Sequence, residues 1–435
     1  MVRLASRDGL AVLFPASPVR AFSARRLLLC VVAAGAGTAA ALLRVAHALD
    51  TTWAEDAHIF LADALAHPIW TNLATPYSGY LHTLPRLLAE LAAFAPPAYA
   101  PAALTVAAAL CTVLLSLVVY VASAGHLQST PARLAVSVPM LLLPFAQAEL
   151  PLSLATLRWQ LMYVTFWALL WTPATRTGRV ILVLLVALSV SSDNVVILFL
   201  PLALARWYVR RDRLSAALAA IVGLGAAVSV AIPAFGIDMH PTIHPRVSPL
   251  WAVEAYVVRP LPQLLFGGGS IGDRPGRGVA GLAITAAAWG CVAMAVLVAW
   301  RRRTPRWPLA TLAAAYSGGM YVFVVMTSGY ALSRYSAPVA LLIVTALVAL
   351  LAPHPDARRV GPARWLPFGV LATGLLVVCA LNFRIPNVRS DGPLWSKGLT
   401  SARVVCASGV RQADIPVSPT ALGWDAKLPC DYLRR

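Results

Sequence analysis

Apolar positions in this chain do not alternate with polar ones. They gather into separate runs, mostly of roughly 15 to 22 residues, the length that crosses a hydrocarbon core. The runs cover 27–46, 99–122, 134–150, 158–172, 180–192, 194–207, 214–233, 279–300, 307–327, 336–352 and 364–381. Two of them, flanking Ser191-Ser192-Asp193-Asn194, are short for a full crossing. They read as a tight hairpin with its polar tip in a cavity, where irregular backbone is hydrated. The pattern predicts an all-α polytopic integral membrane protein with about 11 transmembrane helices.

Composition agrees. Hydrophobic residues make up 59% of 435 positions and charged residues 12%, against about 25% charged in soluble domains. The net charge of +18 resides mainly in arginine clusters between apolar runs, so it sets topology rather than binding nucleic acid. No RNA- or DNA-binding module accompanies it. With the basic segment 1–26 placed inside, every inner loop carries arginine. These loops hold Arg133, Arg176 and Arg179, then Arg210, Arg211 and Arg213, then Arg301 to Arg303 with Arg306, then Arg358, Arg359 and Arg364, as the positive-inside rule requires.

The transmembrane unit is thus 27–381, with outer loops 47–98 and 234–278 long enough to be structured, and a small extracytoplasmic C-terminal segment over 382–435. Of the 17 acids, only Asp8, Asp212 and Asp356 fall inside. Acids contribute little to topology, so their one-sided placement points to function on the outer face. The expected location is the cell (plasma) membrane, multi-pass, N-terminus cytoplasmic and C-terminus extracytoplasmic. Ala46-His47-Ala48 resembles a signal-peptidase site, yet the apolar stretch before it exceeds a signal core, so it reads as a retained first helix. Cys30, Cys111, Cys291 and Cys379 lie in apolar runs as packing residues. Cys406 and Cys430, in the polar tail, form the one plausible disulfide if that tail is extracytoplasmic.

The first outer loop holds the most chemistry. Glu55 and Asp56 lie just beyond the first helix, at the level of a lipid headgroup, with His58 close behind. Neighbours on a helix point about 100° apart, so only one carboxylate faces any given site, whereas Asp56 and Asp63, seven apart, share a face. His82, Arg86 and Glu90 follow at i, i+4 and i+8. That stripe is either a cationic surface for a phosphate or an Arg86–Glu90 pair beside a solvated histidine. Arg158 and Arg334 sit at outer helix ends beside Trp159 and Tyr335, as interface anchors or as further anion ligands. Asp238, His240 and His244 have metal-like spacing, but Pro241 and Pro245 oppose the helix that would align them. No metal site is predicted.

The acidic pair, together with the run from Pro76-Tyr77-Ser78-Gly79-Tyr80-Leu81-His82 to Pro85-Arg86, resembles the C-type (GT-C) membrane glycosyltransferases, in particular uncharacterised actinobacterial members. The tail from Trp395 through Gly423-Trp424 to Cys430 is similar to the small extracytoplasmic end of that group. The resemblance implies a GT-C-like fold and an inverting transfer of sugar from a polyprenyl-phosphate donor to a cell-envelope glycan or lipid acceptor. It implies Asp56, and after it Glu55, as catalytic base. It also implies donor and phosphate binding by Arg86, Arg334 and Arg158, with His82, Tyr80 and His58. No obligatory cofactor or metal is expected, since arginine alone can neutralise a lipid monophosphate. The competing readings are a transporter or flippase of a lipid-linked sugar, which would hold substrate near the bilayer midplane, and a non-catalytic component of an envelope-assembly complex.

Overall fold

The computed structural model of the chain describes residues 7–18, 23–237, 248–268, 278–302, 305–353 and 362–435. It is predominantly helical. The main helices are α1 (Ala24–Leu42), α2 (Thr83–Ala93), α3 (Ala100–Ala122), α4 (Leu157–Leu170), α5 (Arg176–Val190) and α6 (Leu200–Arg210). They continue as α7 (Arg213–Ala234), α8 (Val279–Trp300), α9 (Trp307–Ser328), α10 (Ser336–Leu351), α11 (Leu366–Leu381) and α12 (Trp395–Ala407). Side chains cap several of them. Thr175 accepts from the Gly178 N–H at 3.1 Å and Asp212 from the Ser215 N–H at 2.7 Å, satisfying donors that a helix start leaves open.

Apolar side chains cover the outside of the bundle as well as filling its core. Leu27, Leu28, Leu29, Val31 and Val32 of α1 face outward, as do Leu282, Met294 and Trp300 of α8 and Leu366, Val370 and Leu376 of α11. Some polar groups also lie inside, paired with one another or with backbone. The Tyr163 hydroxyl donates to the Val136 carbonyl at 2.8 Å and meets the Thr345 hydroxyl at 2.9 Å. Tyr256 and Ser317 pair at 3.2 Å. An apolar shell around internally paired polar groups such as these suits a lipid solvent. At the centre stands α10, apolar on every side and almost wholly buried, as an unstriped hydrophobic helix should be. Helices α5 and α7 meet closely at Gly225, where a Cβ would lie 1.6 Å from Val190 Cγ1.

Among the described residues, six helices are long and apolar enough to cross a membrane: α1, α3 with its flanking turns, α7, α8, α9, and α10 with the turn before it. Of the expected spans, about eleven, these six have that length. The other five apolar runs form shorter helices. The run 134–150 breaks at Pro139 into Thr130–Ser137 and Pro139–Leu142, then leaves helix altogether. Helices α4 and α5 have 14 and 15 residues, about 21–23 Å at 1.5 Å per residue. The run 194–207 opens as a 3₁₀ turn, Asn194–Phe199, ahead of α6; its greater rise stretches the pair to about 28 Å.

The connections gather at two poles. At one, Arg206 donates to the carbonyls of Leu169 and Trp171 at 2.7 and 2.6 Å, and Arg302 and Arg306 donate to those of Leu351 and Ala352 at 3.0 Å. At the other lie the acid-rich loop 47–98, the 143–156 segment, the Asp193 turn, the Arg334 turn and the C-terminal segment. That segment carries an element the hydropathy pattern does not announce. After α12, an antiparallel hairpin pairs β1 (Gln412–Pro416) with β2 (Asp425–Pro429), in register Gln412 to Pro429 and Pro416 to Asp425.

Cys406 and Cys430 form the expected disulfide, closing a loop of sequence separation 24. Replacing both by serine is expected to cost about 3 kcal/mol through restored unfolded-state entropy. The check is thermal unfolding of wild type against the double-serine variant, and of wild type with and without reductant. An unchanged melting temperature in both comparisons would show that the bridge constrains nothing.

Candidate functional site: the acid-rich pole

The loop after α1 is held in place by the C-terminal segment. The Trp395 N–H donates to the Asp50 carbonyl at 2.8 Å, and the Asp50 carboxylate accepts from the Ser396 N–H and hydroxyl at 2.9 and 2.7 Å. Ser418 continues the clasp, donating to Thr52 O at 3.2 Å and accepting from the Ala54 N–H at 2.6 Å. The acidic pair follows immediately. It enters a π-helical stretch, Asp56–Leu61, before the short α-helix Ala62–Ala66. The wider π turn breaks the seven-residue register, so Asp56 and Asp63 do not share a face, contrary to the sequence expectation.

Asp56 is buried, with 1% of its surface exposed. Its carboxylate accepts from the Ser153 hydroxyl at 3.0 Å and from the backbone N–H groups of Leu154 and Ala155 at 3.1 and 3.0 Å. Arg389 supplies the nearby positive charge. Burial pushes the Asp56 carboxyl up to about 7, against the three hydrogen bonds and Arg389. Arg389 itself is fully buried. It donates to Thr51 O at 3.1 Å, Leu152 O at 2.9 Å, Thr105 Oγ1 at 2.8 Å and Thr51 Oγ1 at 3.3 Å. Burial lowers the guanidinium to about 10, and the Asp56 charge opposes that. Sequence reasoning missed Arg389, which lies more than 300 positions away and has no neighbour of distinctive pattern.

Glu55 points elsewhere. It is half-buried, makes no hydrogen bond among the described residues, and lies within electrostatic reach of Arg334. Arg334 donates to Glu149 Oε2 at 3.0 Å and keeps 30% of its side chain exposed. Around it stand the tilted ring pair Trp159 and Tyr335, with centroids 5.0 Å apart, and Gln263, whose amide donates to Ser333 at 3.0 Å. Glu149 is the second residue that sequence reasoning passed over. It was one acid among many on that face, with nothing to mark its partner.

The other expected donor ligands are already engaged. Arg86 is buried on α2 and donates to Asp63 Oδ2 at 2.7 Å and to Asn72 Oδ1. Asn72 in turn donates to Glu90 Oε1 at 2.6 Å, so an amide, not a direct contact, links Arg86 to Glu90. His82 precedes α2 and packs on Tyr80 with ring centroids 4.2 Å apart. Burial, reinforced by Arg86, lowers it to about 3. Its burial thus favours the neutral form over the cation that the stripe suggested. Arg158 forks onto Asp193, Nε to Oδ2 at 2.8 Å and Nη2 to Oδ1 at 3.0 Å, and also donates to the Tyr80 hydroxyl. His58 turns to the C-terminal segment, meeting the Asp425 carbonyl and the Trp424 ring edge-on at 4.9 Å.

The structure therefore puts Glu55 within electrostatic reach of Arg334. Asp56, Arg86, Arg158, His82, Tyr80 and His58 each have partners of their own. Asp238, His240 and His244 lie outside the described residues. Among the described residues, no three His, Cys, Asp or Glu side chains converge as a metal site. Compared with protein-family models, with curated proteins and with solved structures, the chain matches none.

Proposed function

We propose that this chain is an inverting glycosyltransferase that moves a sugar from a polyprenyl-phosphate donor to a cell-envelope glycan or lipid acceptor at its acid-rich, extracytoplasmic pole. One observation carries the reading: a half-buried carboxylate without a side-chain hydrogen-bond partner among the described residues, Glu55, lies within electrostatic reach of Arg334, whose side chain is partly exposed, in a bundle with an apolar shell. Such a transfer needs a base that can reach an acceptor hydroxyl and a fixed cation for the departing phosphate. In the reaction, the acceptor oxygen forms a bond to the anomeric carbon as the bond from that carbon to the phosphate oxygen breaks. Glu55 takes the hydroxyl proton, and Arg334 meets the charge left on the polyprenyl phosphate. Asp56 is the weaker candidate for base because both its oxygens are committed to residues 153–155. Its role here is to set the backbone that presents Glu55.

Purified protein incubated with radiolabelled polyprenyl-phosphate sugars and envelope glycan acceptors is expected to form labelled product and release an equal amount of polyprenyl phosphate. Exchange of intact donor across proteoliposomes without any covalent transfer would overturn this reading and favour a transporter.

A further inference from the structure

A cavity of about 330 Å³ opens at the opposite pole, remote from Glu55, where the start of α5, the end of α6 and the start of α7 meet. Its wall carries four arginines, Arg179, Arg206, Arg210 and Arg213, together with Thr172 and one acid, Asp212. That acid is spent. Its Oδ2 takes Arg210 at 2.9 Å, and its Oδ1 caps α7 by accepting the Ser215 N–H at 2.7 Å.

Arg179, Arg206 and Arg213 have no carboxylate partner among the described residues. Arg206 is the most telling of them. It is 1% exposed, yet it donates only to the Leu169 and Trp171 carbonyls at 2.7 and 2.6 Å and to the Ser215 hydroxyl at 3.2 Å, while the charges of Arg210 and Asp212 act on it in opposite senses. Gathering guanidinium groups around one concavity with a single committed acid raises the energy of the empty site. An anion lowers it. Planar forks that converge on a small cavity match the oxygens of a phosphate.

We propose that this cavity binds a phosphate group, supplied by the headgroup of an anionic lipid in the leaflet at that pole. The setting favours lipid. The cavity lies at helix ends, and Trp207 and Tyr208 on α6 are exposed beside it, with the Arg211 guanidinium 5.7 and 5.2 Å from their ring centroids. Aromatic and basic side chains mixed in this way mark the headgroup level. The inference is independent of the function assigned to the other pole.

The test is native mass spectrometry of the delipidated full chain titrated with phosphatidylglycerol and, separately, phosphatidylcholine. Wild type is expected to prefer phosphatidylglycerol by on the order of tenfold. The double variant Arg179→Gln, Arg213→Gln, at exposed positions that leave Arg206 in place, is expected to lose that preference. A thermal melt of each protein confirms that the fold is retained. In a second arm, inorganic phosphate is titrated against the same melts. If it raises the wild-type melting temperature, does not raise that of the variant, and no lipid preference exists, the phosphate site stands and its source is soluble. Equal binding of both lipids with no effect of phosphate, or a preference that the double variant keeps, would overturn the proposal.

Discussion

Glu55→Gln is expected to reduce sugar transfer by roughly 10²- to 10⁴-fold, the usual loss when a general base is removed, while the melting temperature stays within error of wild type. The substitution keeps the shape of the side chain and removes only its capacity to hold a proton. Glu55 is half-buried and accepts no hydrogen bond from the described residues, so little of the fold rests on it. Arg334 is near, and Glu149, 3.0 Å from Arg334, orients that guanidinium without occupying Glu55. Rates are to be followed as release of polyprenyl phosphate under single-turnover conditions, which separates chemistry from product departure. Wild-type turnover in the variant would remove Glu55 from the reaction, and the proposed mechanism would lose its base.

The neighbouring carboxylate makes the opposite case, and the contrast explains what could be read from the chain. Sequence placed an acidic pair at a helix end and noted that only one member would face a given site. Nothing in a run of residues says which one. That choice depends on the Ser153–Ala155 turn, which donates three hydrogen bonds to Asp56, and on a π turn that shifts the following register. Hydropathy likewise located the apolar runs but not their depth. Composition within 134–150 or 158–172 does not reveal that Pro139 interrupts one helix or that another stops after 14 residues. The disulfide was legible because cysteine chemistry and compartment together leave few choices. The arginines at the acid-rich pole were legible as cations and not as partners. Arg86 and Arg158 are consumed by Asp63, Asn72 and Asp193, and only long-range packing reveals that Arg334 keeps an exposed edge. The hairpin of the C-terminal segment was missed because its strands are five residues each and carry prolines at their ends.

Arg389→Met is expected to destabilise the fold by about 3–5 kcal/mol, since several buried acceptors lose a charged donor at roughly 1–3 kcal/mol each. The side chain ties three separate segments: Thr51 in the loop after α1, Thr105 on α3, and the Leu152 carbonyl just before the turn that holds Asp56. Methionine fills much of the volume but leaves these acceptors without donors and Asp56 without its counter-charge. The pH dependence gives the diagnostic. In wild type the Asp56 carboxyl is raised from its ordinary 3.8 to about 7, so the stability gained from its proton is fully present below the ordinary value and is lost as pH rises through about 7. Without Arg389 the folded-state value moves higher still. At pH 5 both proteins carry the protonated acid, and the variant lacks chiefly the guanidinium hydrogen bonds. At pH 8 it must also hold an uncompensated carboxylate or keep its proton at a cost. The difference in melting temperature between wild type and variant is therefore expected to widen from pH 5 to pH 8. A difference that is constant across that interval would mean that Arg389 acts through its hydrogen bonds alone, and that Asp56 sets the position of Glu55 without help from that charge.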